Sequence, residues 1–556
     1  MNRLRVGVMS VAALASAALM LGVGPVGMLG FAHSDTGQAA AAPASCAATA
    51  IAKGTEKAEL SSTSHGDSSS SHGDMAGMPG MAENPSQHST QVLRDQLART
   101  PSGGTLTVPA GVYRGALVID RPVTLVGVGH PVIRGDGTGT VMTIRAAGTT
   151  VRDLMIEGSG PGPVGNPAGV SVQADHVVVK GLHIRDTYTG IWVEGAKDAQ
   201  IIDNTIEGRK MVAGSGGTPA PMHDEMAGDM SGMSMGAAHG TPKAGRGDGV
   251  SLFNAVRPVV AGNSITDVRD GVYLAYGSGT RIECNSVVGS RYAIHSMYGK
   301  TVTIAENHFA TNQSGPVMMY GGPVTLQGNV IRDQHSAATG FGVLLLDVSG
   351  ARLLGNVLVS NRVGLQIEGP LGDSRPTSVE LNTIALNQIG VGLYPTADAT
   401  LTKNSLVENT VQVLGLGPDG GGGDSRWSSG GVGNYWSNYR GFERSSRSGG
   451  VSVGAIPHVE GAAAGRLLAG DPTLLALASS PAFTLLRAVE QRSAGQHPVV
   501  VDRFPIVDSI SPSLPSVTTH VALGTGLVGG TSLLICSLVL LRSTRRRHLP
   551  PGRTTP

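Results

Sequence analysis

Cysteine is almost absent from the 556 residues: Cys46, Cys284 and Cys536 are the only three. They cannot build a disulfide framework, and their separation excludes a CxxC metal or redox motif. Cys284 reads as a small buried apolar residue on a coil strand, with a thiolate ligand as the alternative. Aromatic residues are scarce at 4%, and charged residues make up only 15%. Positive and negative charges nearly cancel, 41 Lys and Arg against 40 Asp and Glu. No basic field therefore exists to draw nucleic acid to the surface. These shortages disfavour a compact soluble enzyme with a conventional core. What is abundant is glycine, 81 residues, and methionine, 18 residues that are mostly clustered. The length suits several ordinary domains, or one elongated repeat domain with attachments.

Both ends carry apolar runs. Arg3 and Arg5 precede an uncharged stretch from Val6 to Ala32, and small residues follow at Ala39 to Ala44. Residues 1–44 thus read as an export signal, with an uncleaved anchor as the alternative. From Val521 to Leu541 there are 21 residues without a charge, followed by Arg542, Arg545, Arg546 and Arg547. That length crosses a bilayer as a helix, and the arginines predict a cytoplasmic tail over 542–556 with everything before Val521 outside.

The strongest internal signal is a period. Asparagine precedes a short apolar pair at Asn204, Asn263, Asn285, Asn307, Asn329, Asn356, Asn382 and Asn404, with spacings of 59, 22, 22, 22, 27, 26 and 22. Removing one 22-residue turn from 59 leaves 37, the length of an insert over 209–245. Spacings of 28 and 23 from Asp153 to Gly181 to Asn204 add two looser coils. A fixed period of this size means a solenoid. Within each period, short apolar alternation is broken by Gly, Asn and Asp, as in Gly271-Val272-Tyr273-Leu274, which indicates strand and turn. A leucine-rich repeat would need leucine at framework positions that Val, Ile and Ala share here. The expected fold is therefore all-β, a right-handed parallel β-helix over 91–420 with coils of about 22 residues, its asparagines forming an internal ladder. Over 421–515 the period is lost, and Ala482 to Gln491 is expected to form a short helix capping the last open edge.

Strict register implies that residues 22 apart stack. Tyr276, Tyr298 and Tyr320 then form one column, and Ala275, Met297 and Met319 form the next, pointing the other way. If Val272 and Ile294 face the interior, His295, Met297 and Met319 face outward, with both sulfurs in reach of one ion. Methionine columns also commonly pack cores, and that reading stands beside the metal one.

Two segments break the repeat grammar. The disordered segment 45–90 carries His65, His72, Met75, Met78, Met81 and His88 among Ser, Gly and Asp. The insert carries Met222, His223, Met226, Met230, Met233, Met235 and His239. Methionines two to four residues apart let a loop wrap one soft ion. Thioether sulfur favours Cu(I), and imidazole suits Cu(I), Cu(II) and zinc. A low-complexity linker is the plain alternative. Neither tract is expected to hold a fixed structure before binding.

Longer stretches then resemble a known family. Gly111-Val112-Tyr113-Arg114-Gly115, Pro122 to Gly127 and Pro131 to Gly135 resemble the opening of NosD proteins. So do Arg269 to Leu274, Tyr292 to Tyr298, Met318-Met319-Tyr320 and Gly433-Asn434-Tyr435-Trp436-Ser437-Asn438-Tyr439. The resemblance covers residues 91 to 510. It implies an exported β-helix factor for maturation of the copper centres of nitrous oxide reductase, with the ATPase and permease of an ABC transporter, a copper chaperone and an apo copper enzyme as partners. It also implies that His295, Met297, Met318 and Met319 lie on a surface that handles copper. The chain departs from the family where Arg440 to Arg444 replaces an Asp/Gly-rich run, and in its His/Met tracts and C-terminal anchor.

The main alternative is a polysaccharide lyase, hydrolase or epimerase, because parallel β-helices host these too. They need acids and bases clustered on neighbouring coils. Stepping 22 residues forward from Asp270 and Glu283 reaches Tyr292 and Ala305, so no such cluster is expected. A wall-facing adhesive solenoid is a third reading and leaves the methionines unexplained. The sequence thus points to a tethered, extracytoplasmic β-helix that binds and delivers copper without bond-making chemistry.

Overall fold

A computed structural model describes residues 87–210 and 245–512, apart from 337–338, 372–374, 417–421, 449, 511 and most of 462–497. The N-terminal apolar run, the segment up to residue 86, residues 211–244 of the insert and the run Val521 to Leu541 lie outside the described residues. Among the described residues, no helix is long and apolar enough to cross a membrane.

The described chain winds as a right-handed parallel β-helix. Each coil visits three sheets in turn, as in Arg281–Glu283, Ser286–Val288 and Tyr292–Met297. Stacked coils build parallel sheets of 12, 14 and 12 strands. The interior is filled by aligned aliphatics, for instance Val260, Ile282, Ile304 and Leu326 in one sheet and Ile265, Val287, Phe309 and Ile331 in the next. All of these are fully buried. Each such side chain contributes roughly 1.5–3 kcal/mol on burial.

The asparagine ladder forms as the period requires. Each rung accepts, at its Oδ1, both the backbone N–H and the Nδ2 of the preceding rung, at 2.9 Å for Asn263 on Asn285 and 2.9–3.0 Å for Asn285 on Asn307. The rung's own Nδ2 also donates to a carbonyl one coil back, as Asn307 does to Ile282 at 2.8 Å. The residue ahead of the rung takes a left-handed backbone, at φ 56° for both Cys284 and Glu306. Cys284 is therefore at a bend and only half-buried, and it is disulfide-bonded. Both facts correct its reading as a buried apolar strand residue: the left-handed turn before Asn285 swings its side chain out of the core.

Three features escaped the period. A ninth rung, Asn434, accepts from Asn404, and its own N–H donates to the buried carboxylate of Asp502 at 2.7 Å, which ends the ladder. Trp436 pairs onto the same sheet and donates its indole N–H to Asp502 at 3.0 Å. The Asn-Tyr-Trp segment thus closes the coil beyond residue 420. A second ladder runs through Asn312, Gln334, Asn361, Asn387 and Asn409 at the next corner. Finally, helix α1 (Thr90–Arg99), capped by the Ser89 hydroxyl, buries Leu93 and Leu97 against the first coil. Ahead of it, the strand Gln87–Ser89 pairs with Val112–Arg114, so His88 is part of the fold, its ring stacked 5.3 Å from Tyr113, and the segment expected to be disordered over 45–90 cannot run to residue 90. At the far end, helical Phe483 packs on Val411 and Leu414 of the last coil.

Replacing a central rung by a residue of similar size without the amide, Asn307→Leu, strands the donors of Asn285 and a buried carbonyl. The expected loss is about 3 kcal/mol or more, read as a lower urea midpoint than wild type. A Thr303→Ala control on the outer face of a neighbouring strand should leave the midpoint nearly unchanged.

Candidate metal site

The third sheet carries the predicted columns in the predicted register. Ala275, Met297 and Met319 are successive partners, as are Tyr273, His295 and Val317. Val272 and Ile294 are fully buried, so His295, Met297 and Met319 lie on the outer face. Met318 does not: it is 1% exposed within the main core. Strand alternation sends it to the face opposite Met319, which corrects its grouping with the outward residues. Met319 packs beside Val317, Phe341, Leu344 and Val363 in an apolar cluster on the outer face. Met297 is half-buried, and the Tyr273 hydroxyl donates to its sulfur at 3.9 Å.

His295 is held on three sides. Its ring lies 5.2 Å from Tyr273 and 5.2 Å from Tyr292, and its Nδ1 is 3.1 Å from Oδ2 of Asp270. Asp270 is fully buried and accepts two further bonds from Arg291, at 2.9 and 2.8 Å. Arg291 in turn lies 4.6 Å over the Tyr292 ring. Burial pushes the Asp270 carboxyl up, but the hydrogen bonds from His295 and Arg291 outweigh it and hold the group at about 2. One coil earlier, Asp248 pairs with Arg269 at 2.9 Å through both oxygens. There burial dominates, Asp270 adds repulsion, and the carboxyl rises to about 6.

These acids correct the expectation that none stack at the coil period. Asp248 and Asp270 are 22 apart, as are Arg269 and Arg291. The pattern is visible stepping backward from Asp270, whereas the forward step meets Tyr292. The ion pairs themselves are diagonal, joining residues 21 apart, so a strict 22-residue column does not reveal them.

The insert leaves the fold beside this cluster. Arg246 donates to the carbonyl of Arg209 at 3.1 Å, tying its two ends together. Arg209 is anchored by Asp186 at 3.0 Å, and Gly247, next to Asp248, donates to Tyr188 at 2.9 Å. The base of the insert thus lies two coils, about 10 Å, from the coil of His295. Met222, His223, Met226, Met230, Met233, Met235 and His239, and equally His65, His72, Met75, Met78 and Met81, lie outside the described residues. Among the described residues, no three His, Cys, Asp or Glu side chains cluster to hold a metal ion; thioethers are outside that count.

Residues 229–441 match the family described as periplasmic copper-binding protein (NosD), and residues 138–315 match a right-handed β-helix region. A Pseudomonas aeruginosa protein named probable ABC transporter binding protein NosD is 31% identical over 423 residues, 74% of this chain and 89% of the relative. This chain belongs to the NosD family. A second NosD of the same name, from Stutzerimonas stutzeri, is 28% identical over 72% of this chain and 86% of its own length. Among solved structures, the A-module of an Azotobacter vinelandii mannuronan C-5 epimerase aligns over 61% of this NosD chain and 92% of its own, at 17% identity and TM-score 0.41.

The carboxylates give this cluster a pH signature. Asp270 is held at about 2, below the ordinary carboxylate value of about 3.9. Its contribution to stability is complete above pH 4 or so and disappears as pH falls toward 2. Asp270→Asn should therefore lower the melting temperature most near neutrality, with the gap from wild type closing below about pH 4. A gap constant from pH 7 to 2.5 would show that the charge of Asp270 is not what stabilises the corner.

Proposed function

We propose that this NosD chain is an exported, membrane-tethered copper-binding factor that hands Cu(I) to an extracytoplasmic copper enzyme, nitrous oxide reductase, during its assembly. The observation that carries the reading is His295. A buried carboxylate bonded to Nδ1 fixes that nitrogen as the protonated one and leaves the Nε2 lone pair for a metal, the arrangement in which outer partners orient a ligating histidine. Met297 and Met319 share its outer face on adjacent strands. Two thioethers and one imidazole form a soft, neutral donor set, which favours Cu(I) over harder divalent ions.

Copper enters as cargo. The insert gathers the ion through Met222, His223, Met226, Met230, Met233, Met235 and His239, and the upstream tract does the same through His65, His72, Met75, Met78 and Met81. Transfer to His295, Met297 and Met319 proceeds by ligand exchange, one thioether replacing another without a free ion. The short distance from the insert's base to the His295 coil supports this route. The family description as periplasmic and copper-binding supports the compartment and the cargo. The relatives' names support an ABC transporter as partner, its permease and ATPase acting with a copper chaperone that delivers the ion. The uncharged run Val521 to Leu541 supports a C-terminal anchor.

Cu(I) titration of the full chain in detergent, under reductant and against a competing chelator, tests the proposal. Met297→Leu with Met319→Leu should abolish the tighter sheet-borne site. Asp270→Asn should weaken it about 10–100-fold, and deletion of 209–245 should lower the number of ions bound while sparing that site. Binding that survives all three changes would place the cargo elsewhere, and no competition with the chelator would end the copper reading.

A further inference from the structure

The tyrosine column has a backbone that its side chains do not favour. Tyr276, Tyr298 and Tyr320 sit at the turn after the third-sheet strands with φ of 57, 56 and 55°. In neighbouring coils the same turn is made by Gly195, Asn254 and Asp347, residue types that tolerate the left-handed region. Among the described residues, a bulky aromatic takes this left-handed position in three consecutive coils, and two of those coils supply Met297 and Met319. Strain retained in this way points to use.

The rings are ordered. Tyr276 and Tyr298 stack 5.1 Å apart with planes 4° from parallel, and Tyr298 and Tyr320 stack 5.6 Å apart at 25°. They are not hidden: Tyr276 is 55% and Tyr298 37% exposed. The backbone N–H groups of Tyr276 and Tyr298 bond the carbonyls of Met297 and Met319 at 3.0 Å, so the backbone of the tyrosine column is bonded to that of the methionine column. Tyr273, whose hydroxyl touches the Met297 sulfur, brings a phenol to the same thioether.

We propose that this ladder is an oxidation site that takes up oxidising equivalents arising when copper at Met297 and Met319 meets peroxide. The inference rests on the copper reading above and adds a second activity to it. Cu(I) reduces hydrogen peroxide, giving Cu(II), hydroxide and a hydroxyl radical. The radical takes the phenolic hydrogen of a tyrosine, giving water and a tyrosyl radical. Two such radicals on stacked rings join through a carbon–carbon bond ortho to the oxygens, and the two displaced ring hydrogens move to the phenoxyl oxygens. In sum, two Cu(I), two peroxides and two tyrosines give two Cu(II), two hydroxides, two waters and one dityrosine. Without the ladder, the oxidant reaches the thioethers and converts them to sulfoxides, which no longer bind a soft ion.

The test uses the full chain in detergent, with copper occupancy measured beforehand, loaded with two equivalents of Cu(I) and exposed to hydrogen peroxide. Peptide mass spectrometry reads dityrosine between residues 276 and 298 or 298 and 320, together with sulfoxide at Met297 and Met319. Expected is cross-linking that needs copper, and at least a severalfold rise in sulfoxide at those methionines when Tyr298→Phe interrupts the stack. Equal sulfoxide in wild type and variant, with no cross-link, overturns the proposal. If occupancy shows no copper on this sheet, the copper reading fails separately. A photochemical one-electron oxidant then replaces copper, and absence of the 276–298 or 298–320 cross-link under it overturns the ladder's role as an oxidation site.

Discussion

One hydrogen bond, repeated, governs the rest of this protein: the side-chain amide of an asparagine accepting from the asparagine one coil below. A carboxamide offers both donor and acceptor, so every rung satisfies its neighbour and also a buried backbone carbonyl. Because the rungs must stack, the coil length is pinned near 22 residues, and insertions are pushed to corners. That fixed register turns an otherwise unremarkable strand into a ruler. His295 follows Tyr273, and Met319 follows Met297, only because Asn285 stands over Asn263 and Asn307 over Asn285.

Upon this frame the outer face of the third sheet gathers charge and sulfur. Asp270 is buried beneath Arg291 and His295, and its charge is sustained by both. Asp248, one coil away, is bonded through both oxygens by Arg269 but without a histidine donor, and is pushed the other way. The difference shows how the same pair of residue types, Arg and Asp, gives opposite outcomes when one extra donor is present. An imidazole oriented by a buried acid beside thioethers on neighbouring strands is well suited to hold a soft cation and to release it by exchange.

Much of this was legible in the sequence, for a physical reason. Solenoid contacts are local in the repeat, so a period read along the chain is also a map of neighbours in space. The tyrosine and methionine columns followed from it directly. The second amide ladder was equally available, since Asn312, Gln334, Asn361, Asn387 and Asn409 each lie five residues after a first-ladder rung. What failed were inferences that assumed uniform strands. Cys284 was assigned to a strand but occupies a left-handed bend. Met318 differs: the family resemblance, not strand geometry, groups it with Met319, and alternation separates them. The helix Thr90–Arg99 was missed because its Leu93 and Leu97 pair is a weak periodic signal beside a strong one.

By itself, then, the sequence determined the coil, its register, which residues share a column and which segments stand outside the repeat, because each follows from a spacing along one chain. Only the tertiary structure decided what happens across columns. The Arg–Asp pairs bridge residues 21 apart, Tyr273 reaches the Met297 sulfur 24 residues on, and Asp270 meets His295 at a separation of 25. These contacts depend on side-chain length and on how a corner turns, and neither is written in a period. The closeness of the insert's base to His295 also arises from winding, since the strand Val250–Phe253 that follows the insert lies two strands from Tyr292–Met297 in the same sheet.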